Sequence, residues 1–593
     1  MKKILMFISS ILMVILVLVG CASVHIHTYS DEWSYDSTKH WHDATCEHIE
    51  LRSDVSDHIF EENKCSICGY TKGDIITPTP NPNEEEETTY EFGDNISINN
   101  TSFYNDYSDE EKNLYYSLWK EDTLIKVEID ISSHELQKLN EAYEHWSKNN
   151  HDATLADVYR KCNLKITVNN KAYEYEEVGI RMRGNTSRTD FVNDKGEIYN
   201  LVHFRFSLTE TFDGSDYEGN AWANELYHNW NRTTEDGEAA RKKRKDRSFA
   251  TMEKFYYKWN KNYDQTYIRE VYNNRMFQAS GILAPHITLA QFSIKQNDSM
   301  ESIGVGNFYE LIDKQFIKRN FDKDNKGGDL YKCTYASSPA DFTSTNSIGV
   351  ETATQSFSYD LKTNDDATDS SWSNHKYIKA FINMLQKDKN ATDFKTNLEA
   401  MIDMDYFTRF EANNYLVGNP DCIRNHANNF YLYFTPETKE GKFKAFLIPY
   451  DYDRCFGANM DWNPASSMVN IKPYSTDTTL GYANKNPLYT KTILDGGLAT
   501  YRTMFTKALK KVLDGKWFTY NNYKALYDVY KNNYSSLAKP SDKIASQCGN
   551  KLKIDSFTFS ENGSRNIDDG NSNLEVSYYI ELKRNTALNG LDK

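Results

Sequence analysis

Gly418-Asn-Pro-Asp-Cys-Ile-Arg-Asn-His-Ala-Asn-Asn-Phe-Tyr-Leu-Tyr-Phe434 and, shortly after it, Phe443-Lys-Ala-Phe-Leu-Ile-Pro-Tyr-Asp-Tyr-Asp-Arg-Cys-Phe-Gly457 decide the reading of this chain. The apolar runs Phe430–Phe434 and Phe443–Pro449 read as a β-hairpin set inside a helical half. Asp421 sits just beyond a helix in a polar loop, where a carboxylate can accept a substrate proton. Asn425, Asn428 and Asn429 offer carbonyl oxygens to a hard cation. Asp451 and Asp453, two apart at a strand end, project to one side as oxygen ligands for magnesium. An acid loop, a hairpin and a metal-binding aspartate are working parts of phosphoryl transfer. Capping aspartates and turn asparagines are the alternative that spacing leaves open.

Outward from this hairpin, helical periodicity marks 267–280, 376–386, 394–415, 501–513 and 520–534. Strand-like alternation marks 124–131, 164–168, 178–183 and 203–208, so a strand-rich first half precedes a helix-rich second half. In Val178-Gly-Ile-Arg-Met-Arg-Gly-Asn-Thr-Ser187, Arg181 and Arg183 alternate with Ile180 and Met182, so both guanidiniums can face a common anion. A structural salt-bridge network is the competing reading.

Together these stretches resemble the CotH family, spore-coat-protein-H-type kinases with an atypical protein-kinase fold, over roughly residues 120–590. VGIRMRGNTS matches the family's Arg-x-Arg-Gly-Asn-x-Ser motif, and Phe204-Arg-Phe-Ser-Leu208 falls where the family has a Lys- or Arg-bearing strand. Asp264-x-Thr-Tyr-Ile-Arg269, Gly281-Ile-Leu-Ala-Pro285 and Glu310-Leu-Ile-Asp-Lys314 follow in order, and then the two aspartate loops. The resemblance implies an α+β, two-lobed kinase-like body over residues 98–593. It also implies ATP- and Mg- or Mn-dependent phosphorylation of Ser or Thr in protein substrates. In those terms Asp421 is the catalytic-loop aspartate and Asp451 the metal-binding one. Asn429 is the asparagine entering the strand, and Asp453 a second-metal candidate. Arg181, Arg183, Arg205 and Glu310 fall on the cofactor side, with no single residue identified as the kinase lysine. Tyr450 stands where the family usually has Trp, and Gly306 where it usually has Tyr. The spacing from Asp421 to the nearest asparagines also departs from that of ordinary protein kinases.

Composition bounds the rest. With 69 basic against 85 acidic side chains the net charge is −16, which argues against nucleic-acid partners. The run RKKRKDR at 241–247 reads as a solvated loop. Thirty Phe and 42 Tyr suffice for a large core. The first 20 residues have a Lys2-Lys3 n-region and an apolar run ending in Leu18-Val19-Gly20-Cys21, which looks like a bacterial lipobox. Lipidation at Cys21 predicts an extracytoplasmic protein tethered to the cell membrane, with a sporulation compartment as the other location; a plain signal anchor is the alternative. Residues 21–73 hold six of the 14 histidines and Cys46, Cys65 and Cys68. The C-x2-C knuckle, with His42 and Cys46 as the second pair, predicts a small zinc-ribbon-like module; a disulfide is the alternative. Residues 74–97, rich in Pro and Glu, read as an extended linker. Two functions therefore compete: a lipid-anchored kinase acting on Ser/Thr-rich surface or spore-coat proteins, and an inactive kinase-like scaffold serving as a surface binding protein. ATP binding separates them, and the kinase reading requires ATP outside the membrane.

Overall fold

The computed structural model describes residues 27–69 and 107–591 apart from short stretches, the longest being 224–234, 365–372 and 459–467, together with two short paired strands within 91–97. The expected leader at 1–20, Cys21 and most of the expected linker at 74–97 lie outside the described residues. Two compact units result, one up to residue 77 and one from residue 78 on.

The first unit contains a three-stranded antiparallel sheet, β1 (Ser34–Tyr35), β2 (Lys39–Asp43) and β3 (Arg52–Asp57), and a small ladder of β4 (Phe60–Glu61) with β5 (Lys64–Cys65).

The second unit is mixed α+β. Its strands β6 (Ile125–Asp130), β7 (Arg160–Val168), β8 (Lys171–Arg183), β9 (His203–Ser207), β10 (Lys254–Trp259), β11 (Ile287–Gln296) and β12 (Ser299–Glu310) close into a barrel in the order β8-β9-β10-β12-β11-β6-β7. Closure removes the exposed strand edges that would otherwise invite pairing. All neighbours are antiparallel except β6 and β11. The alternation IKVEID in β6 turns Ile125, Val127 and Ile129 inward. There they join Ile180, Phe204, Phe206, Phe255, Phe292 and Phe308 in one core. Phe255 stacks on Phe206 and Phe308 at centroid distances of 5.0 and 4.7 Å.

A second core lies outside the barrel. The outward residues Tyr256, Leu289, Val305 and Tyr309 pack with helices instead of facing water. Among these helices are α1 (Arg269–Ala279), α2 (Met404–Val417), α3 (Ala499–Asp514), α4 (Tyr520–Tyr534) and α5 (Val576–Gly590). Helices α1 and α2 are buried nearly all round, so they have no polar stripe to face solvent. Phe277 of α1 meets Phe410 of α2 at 5.5 Å. A five-stranded sheet completes this half: β13 (Asp329–Cys333), β14 (Ile348–Gly349), β15 (Tyr359–Leu361), β16 (Phe430–Phe434) and β17 (Ala445–Pro449), in the order β14-β15-β13-β16-β17. The predicted hairpin is β16–β17, embedded in that sheet. No helix among the described residues is long and apolar enough to cross a membrane.

The basic run at 241–247 is not a loop. Residues Glu235–Lys245 form a helix. Arg241 pairs with Asp213, and Arg247 donates to the backbone oxygens of Leu208 and Glu177 at 2.8 and 3.1 Å. These arginines clamp neighbouring segments, a use of basic residues that composition does not reveal.

Candidate functional site

Lys258 lies at the centre of the site. It follows Tyr256 by two on β10 and therefore shares the barrel's outer face with it. Its Nζ donates to both carboxylate oxygens of Glu270 at 3.0 Å, to Asp451 at 2.5 Å, and lies 3.4 Å from Asp453. Glu270 stands in the first turn of α1 and also accepts from Asn307 Nδ2 of β12 at 3.0 Å. Lys258 and Glu270 are 4% and 3% exposed, whereas Asp451 and Asp453 keep about a third of their surface open. Lys258, Glu270, Asn307 and Asp453 line one cavity together with Asn260 and Asn262.

One ammonium thus faces three carboxylates. Burial pushes the Lys258 ammonium toward deprotonation, but Asp451, Asp453 and Glu270 outweigh it and hold its pKa well above the usual range. Burial likewise pushes Asp451 up, and Lys258 and Arg183 more than reverse this. Asp453 and Glu270 stay raised, because burial and their like-charged neighbours exceed what a single lysine compensates. Asp451 has φ 60°, a left-handed conformation that Asp tolerates better than most residues and that collects at functional sites.

The second loop is delivered by α2. That helix stops at Gly418, whose φ of +63° and close approach to Tyr579 leave no room for a side chain; a Cβ there would lie 1.9 Å from the Tyr579 hydroxyl. Asn419 then bridges the loops: its Oδ1 accepts from the Asp421 N–H at 3.0 Å and its Nδ2 reaches the Asp451 carbonyl at 3.5 Å. The Asp421 carboxylate accepts from Asn428 Nδ2 at 2.8 Å and Asn429 Nδ2 at 3.0 Å, and pairs with His426 Nδ1 at 2.6 Å. A carboxylate has about four lone-pair positions, so three donors fix its plane and leave acceptor capacity toward solvent, where it is 25% exposed.

The other residues singled out in the sequence scatter. Asn429 is tied to Asp421 and does not join the carboxylates around Lys258. Asn425 is buried, and its Nδ2 donates to the Pro420 carbonyl at 2.5 Å. Arg183 donates to the Tyr450 hydroxyl and stacks on Tyr256 at 3.8 Å, next to Asp451. Arg181 turns instead to Asp157 at 2.8 Å, the salt-bridge alternative. Arg205 lies over Tyr256 at 5.9 Å, and its buried Nε has no hydrogen-bond partner among the described residues. Glu310 is a correction. Its fully buried carboxylate is occupied by Arg319, Tyr115 and His286, and it does not enter the Lys258 cluster. Gly306, the departure from the usual Tyr, is explained by packing: a Cβ there would meet the Lys258 carbonyl at 2.5 Å.

Sequence reading missed Lys258, Glu270, Asn419 and His426. The available signal was a lysine on an aromatic strand followed twelve residues later by a glutamate opening a helix.

In the N-terminal unit the grouping of His and Cys side chains also differs from expectation. Cys65 and Cys68 converge with His40 and His58, not with His42 and Cys46. The β2–β3 ladder shifts register between His40 and His42, opposite Asp54 with φ 54°. Such a bulge re-aims side chains that simple alternation would place together. His40 is buried, while His42 Nδ1 lies 3.0 Å from the Glu32 carbonyl and Cys46 Sγ lies 3.5 Å from His27 Nδ1.

A buried lysine pairs with a helix glutamate, a strand-end aspartate stands beside it, and an aspartate loop is tied to that strand end; phosphoryl transfer in kinases uses groups of these kinds. The chain belongs to the CotH kinase protein family, whose model matches residues 224–557, more than half of the 593. The match contains Lys258, Glu270, Asp421, Asp451 and Asp453, and begins after Arg181, Arg183 and Arg205. None of the curated proteins matches the chain.

Proposed function

We propose that this chain is an ATP- and divalent-metal-dependent protein kinase that phosphorylates Ser or Thr hydroxyls. The observation that carries this reading is Lys258 Nζ held between Glu270 and Asp451 while Asn419 ties the Asp421 loop to Asp451. The residues fit the implied cofactors. Carboxylate and amide oxygens suit a hard cation, and Asp451 and Asp453 keep about a third of their surface open toward the cavity. Asp451 and Asp453 would hold the metal, and Lys258, with Arg183 beside Asp451, the phosphates. ATP with its metal supplies the transferable phosphoryl group and neutralises its charge. Asp421 orients the attacking hydroxyl and accepts its proton, and its three donors keep the carboxylate in one plane. Glu270 fixes Lys258, which otherwise has four flexible bonds.

The substrate class, Ser/Thr-rich surface or spore-coat proteins, and the extracytoplasmic tether at Cys21 belong to the same reading. They rest on the family and on the lipobox. Transfer of labelled γ-phosphate to the protein itself and to a Ser/Thr-rich surface protein, with Mg²⁺ or Mn²⁺, tests the activity. Fatty-acid labelling of wild type against Cys21→Ser tests the anchor. Absence of both ATP binding and transfer with either metal would instead support the scaffold reading.

A further inference from the structure

The N-terminal unit is held by little apolar packing. Among its described residues only Trp41, Ala44 and Cys65 are buried apolar side chains, and a unit this small needs a staple. At its centre His40 comes from the start of β2, His58 from just beyond β3, Cys65 from the end of β5 and Cys68 from the following turn. One ligand atom of each lies within 4.8 Å of all the others. His40 Nδ1 is 3.5 Å from His58 Nδ1 and 3.9 Å from Cys65 Sγ, and His58 Nδ1 is 3.4 Å from Cys68 Sγ. A tetrahedron with Zn–N of about 2.0 Å and Zn–S of about 2.3 Å has edges of roughly 3.3–3.8 Å. The three spacings of 3.4, 3.5 and 3.9 Å lie at or near those edges, and all six are within 4.8 Å.

Two further features prepare the site. His40 Nε2 lies 3.0 Å from Ser56 Oγ on the paired strand, an outer partner that leaves Nδ1 as the coordinating nitrogen. The knuckle is closed by the Gly69 N–H donating to the Cys65 carbonyl at 3.0 Å, and Cys65 and Cys68 are not disulfide-bonded.

We propose that His40, His58, Cys65 and Cys68 form a closed structural zinc site, with His42 and Cys46 outside it. Two thiolates and two imidazoles complete the tetrahedron, so no position is open for chemistry and the metal serves to fold the unit. The proposal does not depend on the kinase reading, because a metal at the Asp451 carboxylates would have oxygen ligands.

The experiment uses the purified full chain. Elemental analysis should give one zinc per chain, and exchange with Co²⁺ should produce visible bands of a tetrahedral ion with a near-ultraviolet thiolate-to-cobalt band. His42→Ala and Cys46→Ser should keep the metal and both sets of bands unchanged. His40→Ala, His58→Ala, Cys65→Ser and Cys68→Ser should each lower zinc retention at least tenfold. The first two variants make the assignment falsifiable even if the ligand variants unfold the unit. Loss of metal in His42→Ala or Cys46→Ser would overturn the ligand set, and a Cys65–Cys68 disulfide or the absence of any thiolate–cobalt band would overturn the site.

Discussion

Strand β12 sends Asn307 into one cluster of buried charges and Glu310 into another. Around Glu310 everything is closed. Arg319 Nε and Nη2 reach Oε1 at 2.9 and 2.8 Å, Tyr115 donates to the same oxygen at 2.8 Å, and the His286 N–H donates to Oε2 at 2.9 Å. Around Lys258 the cluster is open, and two of the three carboxylates reach solvent. A carboxylate whose charge and lone pairs are all met inside the protein has nothing left for a ligand. Carboxylates that keep open lone pairs at the rim of a cavity can still take a cation. Burial and perturbed pKa values occur in both clusters, so neither identifies function by itself; what separates the two is that carboxylates around Lys258 stay open beside a cavity.

The largest effects that would break this comparison are catalytic. Asp421→Asn should leave nucleotide binding nearly intact and lower transfer on the order of 10²-fold or more, the size of a general-base contribution. Asp451→Asn should abolish metal-dependent ATP binding, because an amide cannot replace the carboxylate charge. Lys258→Met should cost a similar 10²-fold or more in transfer. Thermal shift with ATP and Mn²⁺, read beside γ-phosphate incorporation, separates the three. Wild-type transfer in all of them would erase the distinction between the clusters.

Glu310→Gln should do the opposite, destabilising the protein while sparing the activity of the molecules that remain folded. Burial pushes Glu310 up, but Arg319 and His286 bring it down to about 2. A depressed carboxyl stabilises the fold above its unfolded value near 4.3, and that contribution, on the order of 3 kcal/mol, is lost as pH falls toward 2. Denaturant melts of wild type and variant should therefore differ most near neutral pH and converge in acid. A variant with normal stability and lost ATP binding would return Glu310 to the cofactor site.

These two clusters also show what the sequence could reveal. The aspartate loops were legible because each flanks a short apolar run with turn residues on either side, and the hairpin Phe430–Phe434 and Ala445–Pro449 lies where that pattern puts it. Lys258 was hidden because its strand, KFYYKW, is buried on both faces between the barrel interior and the helical core. With no solvent face there is no period of two to read. Glu270 was hidden in the same way, on a helix buried nearly all round. Glu310 was singled out from a family landmark, and its side chain turns away from the Lys258 cluster. In the N-terminal unit Cys65 and Cys68 lie together as their spacing suggests, while His40 and His58 stand beside them in place of His42 and Cys46, through a bulge that no spacing rule encodes.

The smallest effect expected concerns how firmly the Asp421 carboxylate is held. His426 Nδ1 lies 2.6 Å from Asp421 Oδ1, and its ring stacks on Tyr335 at 5.2 Å. It touches no reacting atom, so it is a positioning residue. A hydrogen bond to a charged group contributes about 1.5–3 kcal/mol, but Asn428 and Asn429 hold the same carboxylate and share the loss. His426→Ala should therefore lower kcat by about tenfold, roughly 1.4 kcal/mol, without changing KM for ATP. A substitution that restores a donor, His426→Asn or His426→Gln, should recover part of the rate, which a merely structural role would not predict. A change in ATP affinity instead of kcat would place His426 on the Lys258 side of the site and sever it from Asp421.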